Sequence, residues 1–486
     1  MKTTPLGRGV GTGMVPLVVG LMVLLAASAG AVPPTQPSTV PANRPNIVLC
    51  MTDDQGWGDT SYNGHPVLDT PELDAMAEAG IRFHRFYAAH FNCSPTRASV
   101  LTGRHPNRYG CFSHGYPIGG HEVTLAHVAG AAGYATGHFG KWHLAETRGP
   151  SRALLPGDPL HPGRVGFDEW VSASNFFDLD PVLGRNGAAE QFIGDSSDVT
   201  TDEALKFIRR SAEAGRPFLA LVWFASPHNP HRALAGDKAP YADLSKKEQN
   251  YYGELVAVDR NVGRLRRELR ALGVADDTIV WFCSDNGGNF GPASTGWLRG
   301  AKGTLWEGGV RVPGILEWPA RVTRPVVAAM PCSTMDIYPT LVELLGVEVP
   351  NQPRPIDGIS LVPLIDGKMT ERPKPVPFWD YTGPKGGHAD PPAVTNQVKS
   401  NPRENHAVWL DFPYKLHLYP NIKAKGRGIG KPFVLLYDLS EDPAESRDLA
   451  ARESERVKRM RAELERWQDS VENSLMGRDY LRVAAE

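Results

Sequence analysis

The stretch IVLCMTDD, residues 47–54, joins a run of apolar residues to two aspartates. Residues 134–139, 218–224 and 279–283 form similar apolar runs, and a polar cluster follows each of them. A continuous apolar run is typical of a strand that is buried on both faces, as in a parallel sheet covered by helices. These runs therefore predict a mostly parallel sheet in which polar residues follow the strands.

Helical patterns lie between the apolar runs. Apolar residues at helical spacing predict helices over residues 71–79, 123–132, 199–214 and 246–272. Strands that alternate with helices indicate an α/β fold with a mostly parallel central sheet flanked by helices. Because ligands bind beyond the carboxyl ends of the strands in such sheets, we expect the functional site among the polar clusters.

The chain has 486 residues, enough for more than one domain and a large core. A Pro-rich, turn-like stretch around residues 346–377 indicates a boundary. We predict a larger domain over residues 45–375, which carries the polar clusters. Short strand patterns and a charged helical pattern at about 453–474 predict a small C-terminal α+β domain over residues 376–486.

The N-terminus has the layout of a secretory signal peptide. Lys2 and Arg8 precede an apolar run over residues 14–27, and the small residues 29–31 follow it. We predict a signal peptide over residues 1–31 with cleavage near Ala31, a flexible lead-in over residues 32–44, and export to the periplasm or the medium. An uncleaved membrane anchor is the alternative, because the run is near the lower length limit for spanning a bilayer.

The net charge and the number of cysteines limit which partners and which cysteine pairings are expected. The formal net charge of -2 gives no reason to expect nucleic acid or an anionic membrane as partner. The chain has 5 cysteines, so an exported protein would keep at least one unpaired. Cys50 and Cys283 lie in apolar runs and are expected to be buried. Cys93 is different, because Pro95 and the residues after it predict a helix that starts at this cysteine.

Cys93 and Arg97 would share one anion-friendly position. The free N–H groups and the dipole at a helix N-terminus favour negative charge. The spacing of four residues places Arg97 on the same side of the helix as Cys93. The sequence therefore predicts a reactive group beside a fixed cation.

Four oxygen-bearing side chains follow two of the predicted strands. Asp53 and Asp54 follow the first run, and Asp285 and Asn286 follow the last. Clustered carboxylates with an amide suit a hard divalent cation such as Ca²⁺ or Mg²⁺. Zinc is less attractive, because no His or Cys pair has its ligand spacing. An isolated Asp-Asp pair is more often a turn or a helix cap, but two such clusters at neighbouring strand ends favour a metal site.

The remaining polar clusters supply cations: Lys141, His143, His228, His231 and Lys302. Each residue alone could be an ordinary surface residue. Together with Arg97, at the same end of one sheet, they would form a cationic pocket beside the metal. Such a pocket stabilises a multiply charged oxyanion, as sulfate or phosphate transfer requires.

At this point the chain resembles a known family. The sequence CSPTR at residues 93–97 matches the C-x-P-x-R signature of type I, formylglycine-dependent sulfatases of the alkaline phosphatase superfamily, and the chain is arylsulfatase-like. Further segments match later blocks of that family in order: residues 102–104, 133–144, 226–228, 284–287 and 302–309. The likeness covers roughly residues 46–345 and is weaker at 436–445.

The resemblance implies a sulfuric ester hydrolase with an unusual nucleophile. A formylglycine-generating maturation enzyme would oxidise Cys93 to formylglycine (3-oxoalanine), and hydration of this aldehyde gives a gem-diol. One hydroxyl attacks the sulfur of the sulfate ester and the alcohol leaves. The second hydroxyl loses a proton, which expels sulfate and restores the aldehyde. The implied substrates are sulfated carbohydrates or aryl sulfates, and the implied metal cofactor is Ca²⁺.

The resemblance also implies roles for single residues. The calcium ligands would be Asp53, Asp54, Asp285 and Asn286, together with position 93. The catalytic group would comprise Cys93, Arg97, Lys141, His143, His228 and Lys302. Within it, Arg97 and Lys141 hold formylglycine, and His143 takes the proton during sulfate release. Lys141, His228 and Lys302 bind the sulfate group, and one of the last two protonates the leaving oxygen.

Further residues are expected around this group, at a polar sulfate contact and at the substrate entrance. Ser172, Ser174 and Asn175 occupy the region of a further polar sulfate contact in the family, and His231 and His90 are expected at the substrate entrance.

Two other functions stay open at this point. A phosphodiester or phosphonate monoester hydrolase of the same superfamily could use the same pocket, because a sulfate monoester and a phosphate diester carry the same single charge. A calcium-stabilised carbohydrate-binding protein without catalysis would keep the fold and leave Cys93 as a thiol.

Overall fold

The computed structural model describes residues 44–146, 151–382, 402–420 and 433–480. The predicted signal peptide, and the predicted lead-in except Arg44, lie outside the described residues. Within the described ranges, no helix is long and apolar enough to cross a membrane.

Two groups of strands can be distinguished by their position in the chain. The first group comprises β1 (Asn46–Thr52), β2 (Ile81–Tyr87), β3 (Ala135–Lys141), β4 (Glu169–Ala173), β5 (Val182–Arg185), β6 (Ala188–Gln191), β7 (Phe218–Trp223), β8 (Thr278–Ser284), β9 (Arg311–Val312), β10 (Gly314–Glu317) and β11 (Val326–Ser333). The second group comprises β12 (Val376–Trp379), β13 (Ala407–Asp411), β14 (Tyr414–Leu418) and β15 (Val434–Asp438).

The α-helices connect and cover these strands. They are α1 (Pro71–Ala79), α2 (Cys93–Thr102), α3 (Leu125–Ala131), α4 (Ser196–Glu213), α5 (Ala235–Lys238), α6 (Lys246–Ala271), α7 (Glu307–Val310), α8 (Ile337–Leu345), α9 (Val362–Ile365) and α10 (Ser454–Leu475). The helices predicted between the apolar runs are thus present, with ends that shift by at most a few residues.

The first group of strands forms one sheet of 11 strands, in the order β11-β2-β10-β8-β1-β7-β3-β4-β5-β6, with β9 paired to β2. The neighbours β8, β1, β7 and β3 at its centre are all parallel. Antiparallel strands β10, β5 and β6 lie toward the two sides. The predicted α/β fold with a mostly parallel central sheet is therefore confirmed.

Strand β1 shows why a continuous apolar run was needed. Ile47, Leu49 and Met51 belong to the apolar cluster on one face of the sheet, whereas Val48 and Cys50 belong to the cluster on the other. Helices α2, α3 and α8 contribute to the first cluster, and α1, α4 and α6 contribute to the second. Both faces of the central strands are therefore dry, as a parallel sheet requires.

The second group of strands forms an antiparallel sheet in the order β12-β13-β14-β15. Helix α10 packs against it, since Met460 and Leu464 share an apolar cluster with Leu416 and Leu436. This is the α+β arrangement predicted for the C-terminal part of the chain. The boundary between residues 375 and 376 stays a prediction.

Truncation of one central side chain tests the packing of the sheet. Leu221 in β7 is 0% exposed, whereas Leu155 is 41% exposed. We expect Leu221→Ala to lower the free energy of unfolding by about 2–5 kcal/mol, because it leaves a cavity in a close-packed core. The matched variant Leu155→Ala should change it by less than about 0.5 kcal/mol. Urea denaturation measures both, and equal effects of the two substitutions would contradict the assigned core.

Candidate active site

The ends of three central strands meet through backbone hydrogen bonds. The N–H of Asp53 donates to the carbonyl of Ser226 (3.1 Å), and the N–H of Asp285 donates to the carbonyl of Thr52 (3.1 Å). Strands β1 and β8 are in register, with Thr52 opposite Ser284. The aspartates that follow these strands therefore lie side by side, as the sequence predicts.

Cys93 is the first residue of α2, and every residue of this helix is buried. Asn92 before it has an extended backbone, so the chain turns into the helix at the cysteine. The Cys93 side chain faces the strand ends, where the Nζ of Lys302 donates to its Sγ at 3.8 Å. Burial raises the pKa of the Cys93 thiol to about 12. The thiol is thus held protonated and is a poor nucleophile.

Arg97 is a fixed, fully buried cation one helical turn after Cys93. Its Nε and Nη2 donate to Oδ2 of Asp285, at 3.0 and 2.7 Å, and its Nη1 donates to the carbonyl of Lys141 at 3.2 Å. The guanidinium also lies over the ring of Trp223, 5.2 Å from its centre. These contacts link α2 to β8, β3 and β7, and they leave the guanidinium no alternative position.

Lysines neutralise the two aspartates that follow β1. Nζ of Lys141 donates to Oδ2 of Asp53 at 2.5 Å, and Nζ of Lys302 lies 2.5 Å from Oδ1 of Asp54. Asp54 has a left-handed backbone, with φ of 69°. Such a conformation is costly for a residue other than glycine and is concentrated at functional sites.

Burial and charge act in opposite directions on the acids of this cluster. Burial favours the neutral form of Asp53, but Lys141 and the other cations around it hold the pKa of this carboxyl well below its usual value. Burial, and then the negative charge of Asp53, raise the pKa of Asp285 to about 7. The buried acids are therefore held together by the cations that lie against them, and their oxygens remain ligands that suit a divalent cation.

His228 presents one nitrogen to the cluster. Its Nδ1 lies 2.6 Å from the carbonyl of Asn229 and donates to it, while its Nε2 lies 3.8 Å from Oδ2 of Asp54. Burial lowers the pKa of His228, which favours a neutral ring. Phe176 stacks on this ring, with centroids 4.8 Å apart. Phe176 was not predicted as a site residue; the polar stretch just before it was the available signal.

His143 lies next to the start of α2. The hydroxyl of Ser94 donates to the carbonyl of His143 at 2.7 Å, and His143 has a left-handed backbone with φ of 56°. Its Nδ1 is buried and has no hydrogen-bond partner among the described residues. Burial lowers the pKa of His143 well below its usual value, so the ring is neutral.

The residues expected around this group differ in their contacts. The Ser172 hydroxyl is hydrogen-bonded to Nδ1 of His138 at 2.8 Å, whereas the buried Oδ1 of Asn175 has no hydrogen-bond partner among the described residues. His231 lies 3.7 Å from Glu254. The expectation that His90 lines an entrance is wrong, because this ring is 0% exposed.

The side chains present fit a hard divalent cation. Oδ1 of Asp53 and Oδ1 of Asn286 are buried and accept no hydrogen bond from the described residues. Possible ligand atoms of Asp53, Asp54, Cys93 and His228 all lie within 4.8 Å of one another. Buried oxygens without donors are rare in proteins, and oxygen-rich clusters are what Ca²⁺ prefers.

The structure thus brings the ten residues to which the resemblance assigns metal-binding or catalytic roles to one edge of the sheet. The group comprises Asp53, Asp54, Cys93, Arg97, Lys141, His143, His228, Asp285, Asn286 and Lys302. The individual roles assigned to these residues stay predictions.

Known proteins share this arrangement of sequence and fold. The model of the sulfatase family matches residues 45–347. The chain is 33% identical to N-acetylgalactosamine-6-sulfatase of Sus scrofa, over 73% of this chain and 71% of that protein. It is 31% identical to arylsulfatase A of Bos taurus, over 84% of each chain.

A solved structure extends the likeness to three dimensions. The crystal structure of Ps i-CgsB in complex with k-i-k-neocarrahexaose superposes with a TM-score of 0.73 and 25% identity, over 87% of this chain and 92% of that one. Together with the sequence matches, this neighbour places the fold in the alkaline phosphatase-like superfamily. The chain therefore belongs to the sulfatase family and is a sulfuric ester hydrolase.

Proposed function

We propose that this protein is an exported sulfatase that removes sulfate from carbohydrates, with formylglycine made from Cys93 and with Ca²⁺. The observation that carries the proposal is the position of Cys93, buried at the start of α2 and in contact with Lys302 beside Asp54. Residue 93 thus lies between cationic side chains and an oxygen-rich cluster, which supports its assignment as the nucleophile position.

The residues around position 93 support a nucleophile other than the thiol. The high pKa of Cys93 disfavours the thiolate that direct attack by sulfur would need. Formylglycine at this position would supply an aldehyde whose hydrate attacks the sulfate ester. Arg97 and Lys141 would hold this group, since Arg97 is fixed by Asp285 and by the carbonyl of Lys141.

Lys302, His228 and Lys141 would bind the sulfate group. They approach the aspartate pair from different elements, which lets them surround a tetrahedral anion. Preorganised cations in a dry site stabilise the charge that develops on the sulfate oxygens in the transition state. Of the two residues expected to protonate the leaving oxygen, Lys302 would do so, because the one N–H of a neutral His228 is held by the carbonyl of Asn229. Neutral His143 would accept the proton that is lost as sulfate departs.

Calcium fits the oxygen cluster formed by Asp53, Asp54, Asp285 and Asn286. When bound, it would supply Lewis-acid polarisation of the sulfate group and offset the buried carboxylates. The unpartnered oxygens of Asp53 and Asn286 support this assignment.

The substrate class and the location rest on separate observations. N-acetylgalactosamine-6-sulfatases are among the relatives, and the neighbour Ps i-CgsB was solved with k-i-k-neocarrahexaose. Both support a sulfated carbohydrate as substrate. The basic residues, apolar run and small residues at the N-terminus support export, and the C-x-P-x-R sequence supports recognition by a formylglycine-generating enzyme.

Replacement of Cys93 tests the nucleophile. We expect Cys93→Ala to abolish sulfate release from an aryl sulfate, because alanine cannot become an aldehyde, while the unfolding midpoint stays near that of the unsubstituted protein. Cys332→Ala is the matched control, since Cys332 is equally buried but lies in β11. Sulfate release by Cys93→Ala would contradict the mechanism. In the unsubstituted protein, faster turnover of an aryl phosphodiester than of an aryl sulfate would favour the alternative function as a phosphodiester or phosphonate monoester hydrolase.

Removal of Lys302 tests the cationic pocket. We expect Lys302→Ala to lower kcat/KM for an aryl sulfate by about 10²–10³-fold, the usual effect of losing one preorganised charge-stabilising group. Lys368→Ala is the control, because Lys368 is an exposed lysine whose side chain is 74% accessible. Steady-state kinetics measures both variants. Activity of Lys302→Ala close to that of the unsubstituted protein would show that Lys302 does not take part in catalysis.

Chelation tests the metal. We expect a chelator to lower both activity and the unfolding temperature, and added Ca²⁺ to restore them, because bound Ca²⁺ at 100 times its Kd stabilises the folded state by about 2.7 kcal/mol. Asp54→Ala should remove the response of the unfolding temperature to Ca²⁺, whereas the exposed Asp243→Ala should retain it. An unfolding temperature that is independent of Ca²⁺ in the unsubstituted protein would contradict the metal site.

A further inference from the structure

The loop that carries Lys302 runs from Arg299 to Glu307, and backbone hydrogen bonds tie its centre to the neighbouring chain. The N–H of Lys302 donates to the carbonyl of Gly288 (3.1 Å), and the N–H of Gly303 donates to the carbonyl of Phe91 (3.2 Å). Gly300 and Gly303 have left-handed backbones, with φ of 80° and 85°. Glycines permit such a path but do not fix it. The Lys302 ammonium contacts Asp54, and the backbone that brings it there is anchored at the two ends of the loop.

The small antiparallel sheet and the turn after it anchor the first end of the loop through Arg299. The guanidinium lies over the ring of Trp306, 3.6 Å from its centre. Its Nη1 donates to the hydroxyl of Tyr437 in β15 (3.0 Å) and to the carbonyl of Glu445 (2.8 Å). The ring of Trp306 is also stacked on His417 of β14, with centroids 4.3 Å apart.

The same part of the chain anchors the second end through Glu307. The N–H of Glu307 donates to Oε2 of Glu445 (2.7 Å), and Nζ of Lys415 donates to Oε1 of Glu307 (2.8 Å). Lys415 also lies 3.0 Å from Oε1 of Glu445. The side chains of Glu307, Lys415 and Glu445 are all 0% exposed. The two loop ends are joined to each other, since the N–H of Gly308 donates to the carbonyl of Arg299 (2.7 Å).

Buried charge makes this anchor stiff. Removing one member of a buried ion pair leaves an uncompensated charge, so few arrangements of Glu307, Lys415 and Glu445 are tolerated. A neutral His417 donates its Nε2–H to Oε1 of Glu445 (2.7 Å) and accepts from Nε2 of His406 (2.9 Å), which extends the network through β14. A fully satisfied polar network of this kind specifies one geometry.

We propose that Arg299 is a positioning residue for catalysis: together with Glu445 and Lys415 it fixes the loop so that Lys302 meets the sulfate ester. This inference rests on the proposed function of Lys302. It makes the C-terminal sheet part of the catalytic apparatus, acting through the loop and not by contact with the substrate.

The test is a double-mutant cycle with Arg299→Lys and Lys302→Ala, measured as kcat/KM for an aryl sulfate. Arg299→Lys keeps the positive charge but loses the planar guanidinium, which stacks on Trp306 and donates to two acceptors. We expect it to lower activity by about 10-fold, as a small misplacement of a catalytic group does. In the Lys302→Ala protein the same substitution should lower activity by less than about 2-fold, because its effect passes through Lys302.

Arg456→Lys is the matched control. Arg456 also lies over an aromatic ring in the C-terminal part, 3.7 Å from the centre of Tyr414. Among the described residues its hydrogen bond goes to Glu453 and not to the loop ends, so this variant should retain full activity. If Arg299→Lys does not fold, as judged by its unfolding midpoint, Tyr437→Phe removes only one hydroxyl from the anchor and takes its place in the cycle.

Two results would overturn the inference itself. An equal loss of kcat/KM in the unsubstituted and the Lys302→Ala proteins would show a general structural effect. Unchanged activity of both the Arg299→Lys and the Tyr437→Phe variants would show that the anchor does not affect catalysis. If the unsubstituted protein releases no sulfate, or if Lys302→Ala is fully active, the proposed function fails first and this inference fails with it.

Discussion

The parallel register of β1 and β8 is the constraint on which the rest of the site depends. Because Thr52 lies opposite Ser284, the aspartates that follow the two strands come together. A slip of one residue would turn every side chain of β1 to the other face of the sheet and separate these acids. Apolar burial on both faces holds these strands in the core, so the chemistry of the site and the packing of the core depend on the same strands.

Acids crowded in this way require a surrounding shell of cations. Arg97, Lys141 and Lys302 each contact a different aspartate, and each comes from a different element of the fold. Removing water strengthens these interactions and also raises the cost of leaving any charge uncompensated. The same arrangement suits a bound divalent cation on one side and a sulfate anion on the other, which is why one pocket can support both parts of the proposed mechanism.

The sequence predicted the central sheet and the site residues because both depend on local signals. Continuous apolar runs identified β1, β3, β7 and β8, and the polar cluster after each run identified the edge where the site lies. The family signature supplied the roles of Cys93 and His143, which spacing alone did not.

Other features were invisible because they depend on contacts between distant segments. Phe176 stacks on His228 across 52 positions of the chain, and the polar stretch before Phe176 indicates the region but not this contact. The anchor formed by Glu307, Lys415 and Glu445 joins two sheets, so its members look like ordinary charged residues in the sequence. The burial of His90 also follows from packing, because a polar residue near a reactive cysteine is equally compatible with an exposed position.

In the proposed mechanism Cys93 is the precursor of the nucleophile and not the nucleophile itself. Mass spectrometry of the tryptic peptide over residues 86–97, from protein made in a host with a formylglycine-generating enzyme, tests this role. We expect the mass of an aldehyde in place of the thiol, in a fraction of molecules that rises in parallel with sulfatase activity. An intact thiol in fully active protein would contradict it.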